Sequence, residues 1–146
     1  MSNRNIGTVS NGTMRPEDLI PDFIWELRNQ KPCRHRGLCT EIERRTHKDG
    51  YYDSEDAGYD LETLFDALGE YAPAYFYFGA NSGDGADYGY WLSESFQDDF
   101  DGLRVSDTSE IPSGYFGEVL LVTDHGNMSL YSKSRNHKLR ELWAIV

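Results

Sequence analysis

Cysteine is nearly missing from this chain of 146 residues: there are two, too few for the disulfide framework of a small secreted scaffold. Long apolar runs are missing as well. No stretch approaches the ~18 consecutive apolar residues of a membrane span, and the mean hydropathy is -0.66. Residues 1–13 lack the apolar centre of a secretory signal and read as a flexible polar leader. With five prolines and 14 glycines in no repeating pattern, a collagen-like or fibrous reading is excluded as well. A reducing, cytoplasmic setting is the expectation. Basic residues are the scarcest group for their kind, 14 Lys and Arg against 25 Asp and Glu, for a net charge of -11.

What is there is enough for one ordinary domain. Hydrophobic residues make up 38% of the chain and charged residues 27%, the composition of a water-soluble globular protein with a sizeable core. The charge is unevenly placed. Residues 1–50 carry nine basic and seven acidic groups, and residues 119–146 carry four and two. Residues 51–118 hold 16 acidic groups and a single basic one, Arg104, so this stretch contributes -15. Such a field repels duplex DNA, RNA and anionic lipid, and attracts basic proteins and cations. The alternative is a solvated face that only keeps the chain soluble. Two features favour a partner: apart from Arg104 the acids have no interspersed Lys or Arg, and aromatics stand among them.

Periodicity sets out the elements. Pro16-Glu17-Asp18 suits a helix start, and Leu19, Phe23 and Leu27 recur every four residues up to about Gln30. A second helix is expected within 34–47, with Leu38 and Ile42 on one face. Residues 51–59 read as an acid- and tyrosine-rich loop. Asp60 then caps a third helix carrying Leu61, Leu64, Phe65 and Leu68, with Gly69 as its stop. Beyond Pro73 the pattern turns to strands: residues 74–80 and 86–93 around the turn Asn81–Gly85, then 118–123 and 128–132 around Asp124–Asn127, and finally 139–146. Helices first and strands later predict an α+β fold, N-terminal helices on one face of a mostly antiparallel sheet of about five strands, as a single domain over 14–146.

The motifs carrying recognisable chemistry are few. Cys33, His35, Cys39 and His47 offer zinc-type ligands within 15 residues, but the spacing C-x-H-x3-C-x7-H is no standard zinc pattern, and two incidental cysteines with two surface histidines explain it as well. Calcium loops fail: anchoring on Gly58 puts Ala57 and Leu64 at ligand positions, and anchoring on Gly102 puts Gln97 and Thr108 there. Asp124 and His125 are adjacent, and neighbours in sequence rarely face each other as base and orienter. The glycines of Asn81–Gly85 serve a turn, since no helix start or basic group follows them to hold phosphate. No cofactor and no enzymatic activity are expected.

Ten tyrosines, several beside acids, suit a protein-binding surface, because tyrosine offers rigid area and one hydroxyl. The residues expected to meet a partner are Asp53, Glu55, Asp56, Asp60, Asp84, Asp87, Asp98, Asp99 and Asp101, with Tyr88 and Tyr90. The expected role is inhibition of a basic, nucleic-acid-handling protein by charge mimicry, in the manner of small acidic inhibitors of restriction or CRISPR complexes. The sheet aromatics also allow a homodimer. Separately, Phe78-Gly79, Gly83-Asp84-Gly85, Tyr88 to Trp91 and Val119 to His125 resemble the SUKH immunity superfamily over about a third of the chain. That resemblance implies non-catalytic binding and neutralisation of a cognate toxin.

Overall fold

Proline without an amide hydrogen fits the first turn of a helix, where that hydrogen would have no partner. Pro16 opens the first helix in this way, and Glu17 and Asp18 follow in its first turn. The structure, a computed structural model, describes residues 5–136 and 138–145. The elements are β1 (Gly7–Ser10), α1 (Pro16–Arg28), α2 (Arg36–Arg45), α3 (Glu55–Gly69), β2 (Phe76–Asn81), β3 (Asp84–Leu92), α4 (Phe96–Asp99), β4 (Leu103–Val105), β5 (Gly117–Val122), β6 (Met128–Lys133) and β7 (Leu139–Ile145). Short 3-10 turns precede α3 (Tyr51–Asp53) and β5 (Thr108–Glu110). The class is α+β, with the three longer helices N-terminal. The strands divide into two sheets, of three and four, where one sheet of about five was expected. Among the described residues no helix is long and apolar enough to cross a membrane.

The chain forms two compact units. The helical unit comprises residues 6–72 and 76–91, with α1–α3 and the sheet β1-β3-β2. Each helix buries the stripe its period dictates: Leu19, Ile20, Phe23, Ile24 and Leu27 from α1, Cys39 and Ile42 from α2, and Ala57, Leu64, Ala67 and Leu68 from α3. Phe23 is the hub. Its ring meets Phe65 and Phe78 edge-on at 5.2 Å each, and Tyr88 at 5.9 Å. Burying a side chain of this size contributes roughly 1.5–3 kcal/mol. Pro21 interrupts the polar side of α1, where it is exposed, so the helix runs through it at the loss of one hydrogen bond.

The expectation of a flexible leader over 1–13 is corrected for its second half. Gly7–Ser10 is a strand, paired antiparallel with β3 through Gly7↔Tyr90, Thr8↔Gly89 and Ser10↔Tyr88. The bulge between Thr8 and Ser10 leaves Val9 to pack on the core. Gly12 N–H continues the contact onto Ala86 O at 3.0 Å. A strand of four residues with one hydrophobic side chain is too short for alternation to reveal, and its pairing with a distant strand is what orders it. Residues 1–4 of that leader lie outside the described residues.

The second unit comprises Asn5, residues 73–75 and the described residues from Leu92 on. Its sheet runs β4-β5-β6-β7, with β4 and β5 parallel and the other neighbours antiparallel. Leu120, Leu130 and Trp143 form a fully buried cross-strand row. Phe96 of α4 meets Trp143 at 5.6 Å and Tyr75 at 4.9 Å. Trp143 donates its indole N–H to Ala74 O at 2.8 Å. Tyr75 has φ of +69°, a left-handed conformation that costs a bulky residue about 1 kcal/mol or more. It is held by Ser93 N–H on its carbonyl at 2.8 Å and by its own hydroxyl, which donates to Glu118 at 2.5 Å.

Candidate functional site

Charge first separates the two units. The helical unit holds 16 acidic and eight basic residues, a net of -8 out of the -11 of the whole chain. Asp53, Glu55, Asp56, Asp60, Asp84 and Asp87 belong to it, whereas Asp98, Asp99 and Asp101 belong to the second unit. The 51–118 stretch is therefore continuous in sequence but distributed over two compact bodies.

Within the helical unit the acids gather on α3. Ser54 stands at the N-cap, so the helix begins at Glu55, six residues before the start expected with Asp60 as the cap. Residues 51–59 are a 3-10 turn and the first helical turn, where a loop was expected. Helical spacing then puts Glu55, Tyr59, Glu62 and Asp66 in one row, with Asp56 and Thr63 beside it. All six are exposed, and so is Asp53 just ahead of them. The opposite face carries the buried Ala57, Leu64, Ala67 and Leu68. Among the described residues, Asp53, Glu55, Asp56, Glu62 and Asp66 make no ion pair. Tyr59 projects from the middle of this ridge with 64% of its surface exposed. Glu55 and Asp56 also lie in the first turn, where the helix dipole favours negative charge.

Three expected partner residues are corrected. Asp60 is 7% exposed and is held by Arg45 through two hydrogen bonds of 2.7 and 3.0 Å. Tyr51 O–H donates to the same carboxylate at 2.7 Å. Burial works against ionisation of Asp60, but the hydrogen bonds from Arg45 and Tyr51 and the Arg45 charge outweigh it and hold the carboxyl below its ordinary value. Burial, and then the bond to that carboxylate, push the Tyr51 phenol upward. Asp60 thus ties α2 to α3 and is no cap. Tyr88 and Tyr90 are 8% and 1% exposed: their alternate positions on β3 face the core, and Tyr90 O–H accepts from Gln30 at 3.3 Å. Strand alternation puts Tyr88 and Tyr90 on a common face but does not say which face the helices cover.

The remaining acids are placed differently. Asp84 is exposed at the start of β3 and accepts from Ala86 N–H at 3.0 Å. Asp87 is half-buried, and its Oδ1 is enclosed without a hydrogen-bond partner. In the second unit, Asp98, Asp99 and Asp101 are exposed around α4, and Asp99 accepts from Ser95 at 2.7 Å. Arg104, the lone cation of 51–118, turns to Gln97 Oε1 and O and to Phe100 O and leaves these acids unneutralised. Elsewhere several N-terminal cations are paired: Arg28 holds Glu43 with two bonds of 3.0 Å, and Arg34 and His35 approach Glu70 at 3.6 and 2.9 Å.

The four zinc-type residues do not converge. Cys39 is fully buried with its thiol toward Ile24 O, His35 meets Glu70, and His47 is exposed after α2. Among the described residues no three Cys, His, Asp or Glu side chains are placed to hold a metal. Burial pushes the Cys39 thiol up, whereas Cys33 is half-exposed. One thiol equivalent is therefore expected to react with a disulfide reagent in the folded protein, and the second only after denaturation. Equal fast reaction of both would contradict this placement. Asp124 and His125 lie exposed in the β5–β6 turn.

Sequence reasoning missed Glu62 and Asp66 as members of the ridge, and undervalued Tyr59. The signal was present: the 55, 59, 62, 66 row falls opposite Leu64 and Leu68 once the helix is extended back to Glu55. Comparison with protein-family models, with curated proteins and with solved structures finds no match to this chain.

Proposed function

We propose that this protein is a non-enzymatic binding module whose α3 ridge occupies the basic groove of a nucleic-acid-handling protein and inhibits it by charge mimicry. One observation carries the reading: Glu55, Asp56, Glu62 and Asp66 are all exposed and without ion-pair partners along one side of a single helix, around an exposed tyrosine. At 1.5 Å per residue these four charges span ~16 Å of one helix side, a mean axial spacing of ~5.5 Å. That is wider than the ~3.4 Å per phosphate along one DNA strand, so the ridge offers a row of negative charge to a basic groove without copying the phosphate spacing. A rigid helix presents the charges without ordering cost, and Tyr59 supplies the apolar area from which a charged rim alone would gain little.

The test is capture from host lysate with elution by rising salt, using the natural chain and a variant with Glu55→Lys, Glu62→Lys and Asp66→Lys. A nuclease, restriction or CRISPR component retained by the natural chain and lost by the variant, with affinity falling at least tenfold between low and moderate salt, is the expected result. Retention that is unchanged by the three reversals would remove the ridge from the interface. A toxin encoded beside this protein as the captured species would instead select the immunity role that the SUKH resemblance implies.

A further inference from the structure

The second unit holds a cavity of opposite character. On β5, β6 and β7 the buried row Leu120, Leu130, Trp143 is followed on the same face by Glu118, Ser132 and Arg140. One step further, Ser134 N–H donates to Lys138 O at 3.0 Å and closes the hairpin. Strand alternation therefore aims Ser132, Ser134, Lys138 and Arg140 to one side. With Asn136 they line a cavity of about 360 Å³. Among the described residues the lining consists of two cations, two hydroxyls and one amide, with no carboxylate.

These donors fit an oxyanion. Metal ions are disfavoured, because Lys138 and Arg140 would repel them and, among the described residues, no thiolate, imidazole or carboxylate lines the space. Neither cation makes an ion pair among the described residues. Glu118, on the same face, already accepts from Tyr75 O–H. Glu141 alternates to the other face, in register with Tyr131. The Ser134 hydroxyl bonds Asn136 Oδ1, which leaves the Asn136 amide N–H groups as donors. Arginine offers a planar fork suited to two phosphate oxygens, and lysine a point charge beside it.

We propose that this cavity binds a small phosphate monoester, with Arg140 and Lys138 balancing the dianion and Ser132 and Asn136 donating to its oxygens. Phosphate alone would fill only part of the cavity, and the volume lies in the range of small-ligand sites. A polymeric phosphate backbone is opposed by the net charge of -11, which a small dianion feels far less. This site is independent of the α3 ridge, which belongs to the other unit.

The experiment is a titration of the isotopically labelled full chain, followed by amide NMR, with inorganic phosphate, glycerol phosphate, a twelve-nucleotide single strand and sodium chloride at matched ionic strength. The expected result is saturable shifts confined to residues 132–136 and 138–140, tighter for glycerol phosphate than for phosphate, and absent with chloride. Arg140→Gln is expected to weaken binding about tenfold and Lys138→Gln several-fold, as loss of a charge-assisted bond implies, with the rest of each spectrum unchanged as proof of folding. Shifts that grow linearly and equally with chloride would overturn the site, as would binding indifferent to both substitutions. Tighter binding of the oligonucleotide than of glycerol phosphate would overturn the small-ligand assignment.

Discussion

Gly89→Ala is expected to destabilise the helical unit by about 3 kcal/mol, a large cost for one methyl group. A Cβ at this position would stand 2.1 Å from Gly7 O, 2.8 Å from Gly7 C and 2.9 Å from Thr8 Cα. All three are backbone atoms, which cannot turn aside as a flexible side chain can. Either β1 leaves β3 or the whole pairing shifts, and Val9 loses its place on the core in both cases. Urea denaturation measures the loss, and amide exchange at Gly7, Thr8 and Tyr90 locates it. A chain lacking residues 1–12 provides the control. There the same substitution should cost less than ~1 kcal/mol, because a strand alanine has no intrinsic penalty of that size. An equal cost with and without the N-terminal segment would show that β1 does not lie against Gly89.

The second large effect belongs to the Arg45–Asp60–Tyr51 contact. Arg45→Met is expected to cost about 2–3 kcal/mol at neutral pH, less than the ~3–5 kcal/mol of a fully buried pair, because about a third of the Arg45 side chain is exposed to solvent. The substitution leaves an ionised carboxylate enclosed with only Tyr51 O–H for support. The pH dependence identifies the cause. In the natural chain the Asp60 carboxyl titrates below its unfolded value, so its stabilising contribution is present above about pH 4 and is lost as pH falls through the folded value. In the variant, burial acts unopposed by the guanidinium and raises the carboxyl above its unfolded value. The stability gap between the two proteins should therefore narrow as the medium is acidified from pH 7 toward pH 3. A gap that stays constant over that range would assign the loss to packing of the arginine stem. Asp60→Asn added to Arg45→Met should recover part of the loss, since no charge then remains to bury.

Most elements were legible because their hydrophobic periods are long. α1 follows from Leu19, Phe23 and Leu27, and the hairpins β2–β3 and β5–β6 from their aromatic and aliphatic runs around glycine turns. β1, β4 and α4 were not legible. They are three or four residues long, too short to show a period, and they exist through partners far along the chain: β4 pairs with β5, and Phe96 and Phe100 of the α4 region bury against the second unit's sheet and Tyr75. Asp60 shows the limit for side chains. As an acid ahead of a hydrophobic run it reads as a helix cap, but Ser54 takes that position and Asp60 falls on the inner side of α3 facing Arg45.

By itself the sequence determined the α+β class, the acidic net charge and the confinement of 16 acids to 51–118, because composition and periodicity are properties of the chain alone. Only the tertiary structure decided which of those acids are available. It closed Asp60 behind Arg45, turned Tyr88 and Tyr90 inward, and left Glu55, Asp56, Glu62 and Asp66 outward around Tyr59. The physical reason is that a residue's charge is intrinsic, whereas its exposure and its partners depend on which surfaces pack together, and those meetings join positions distant in the chain.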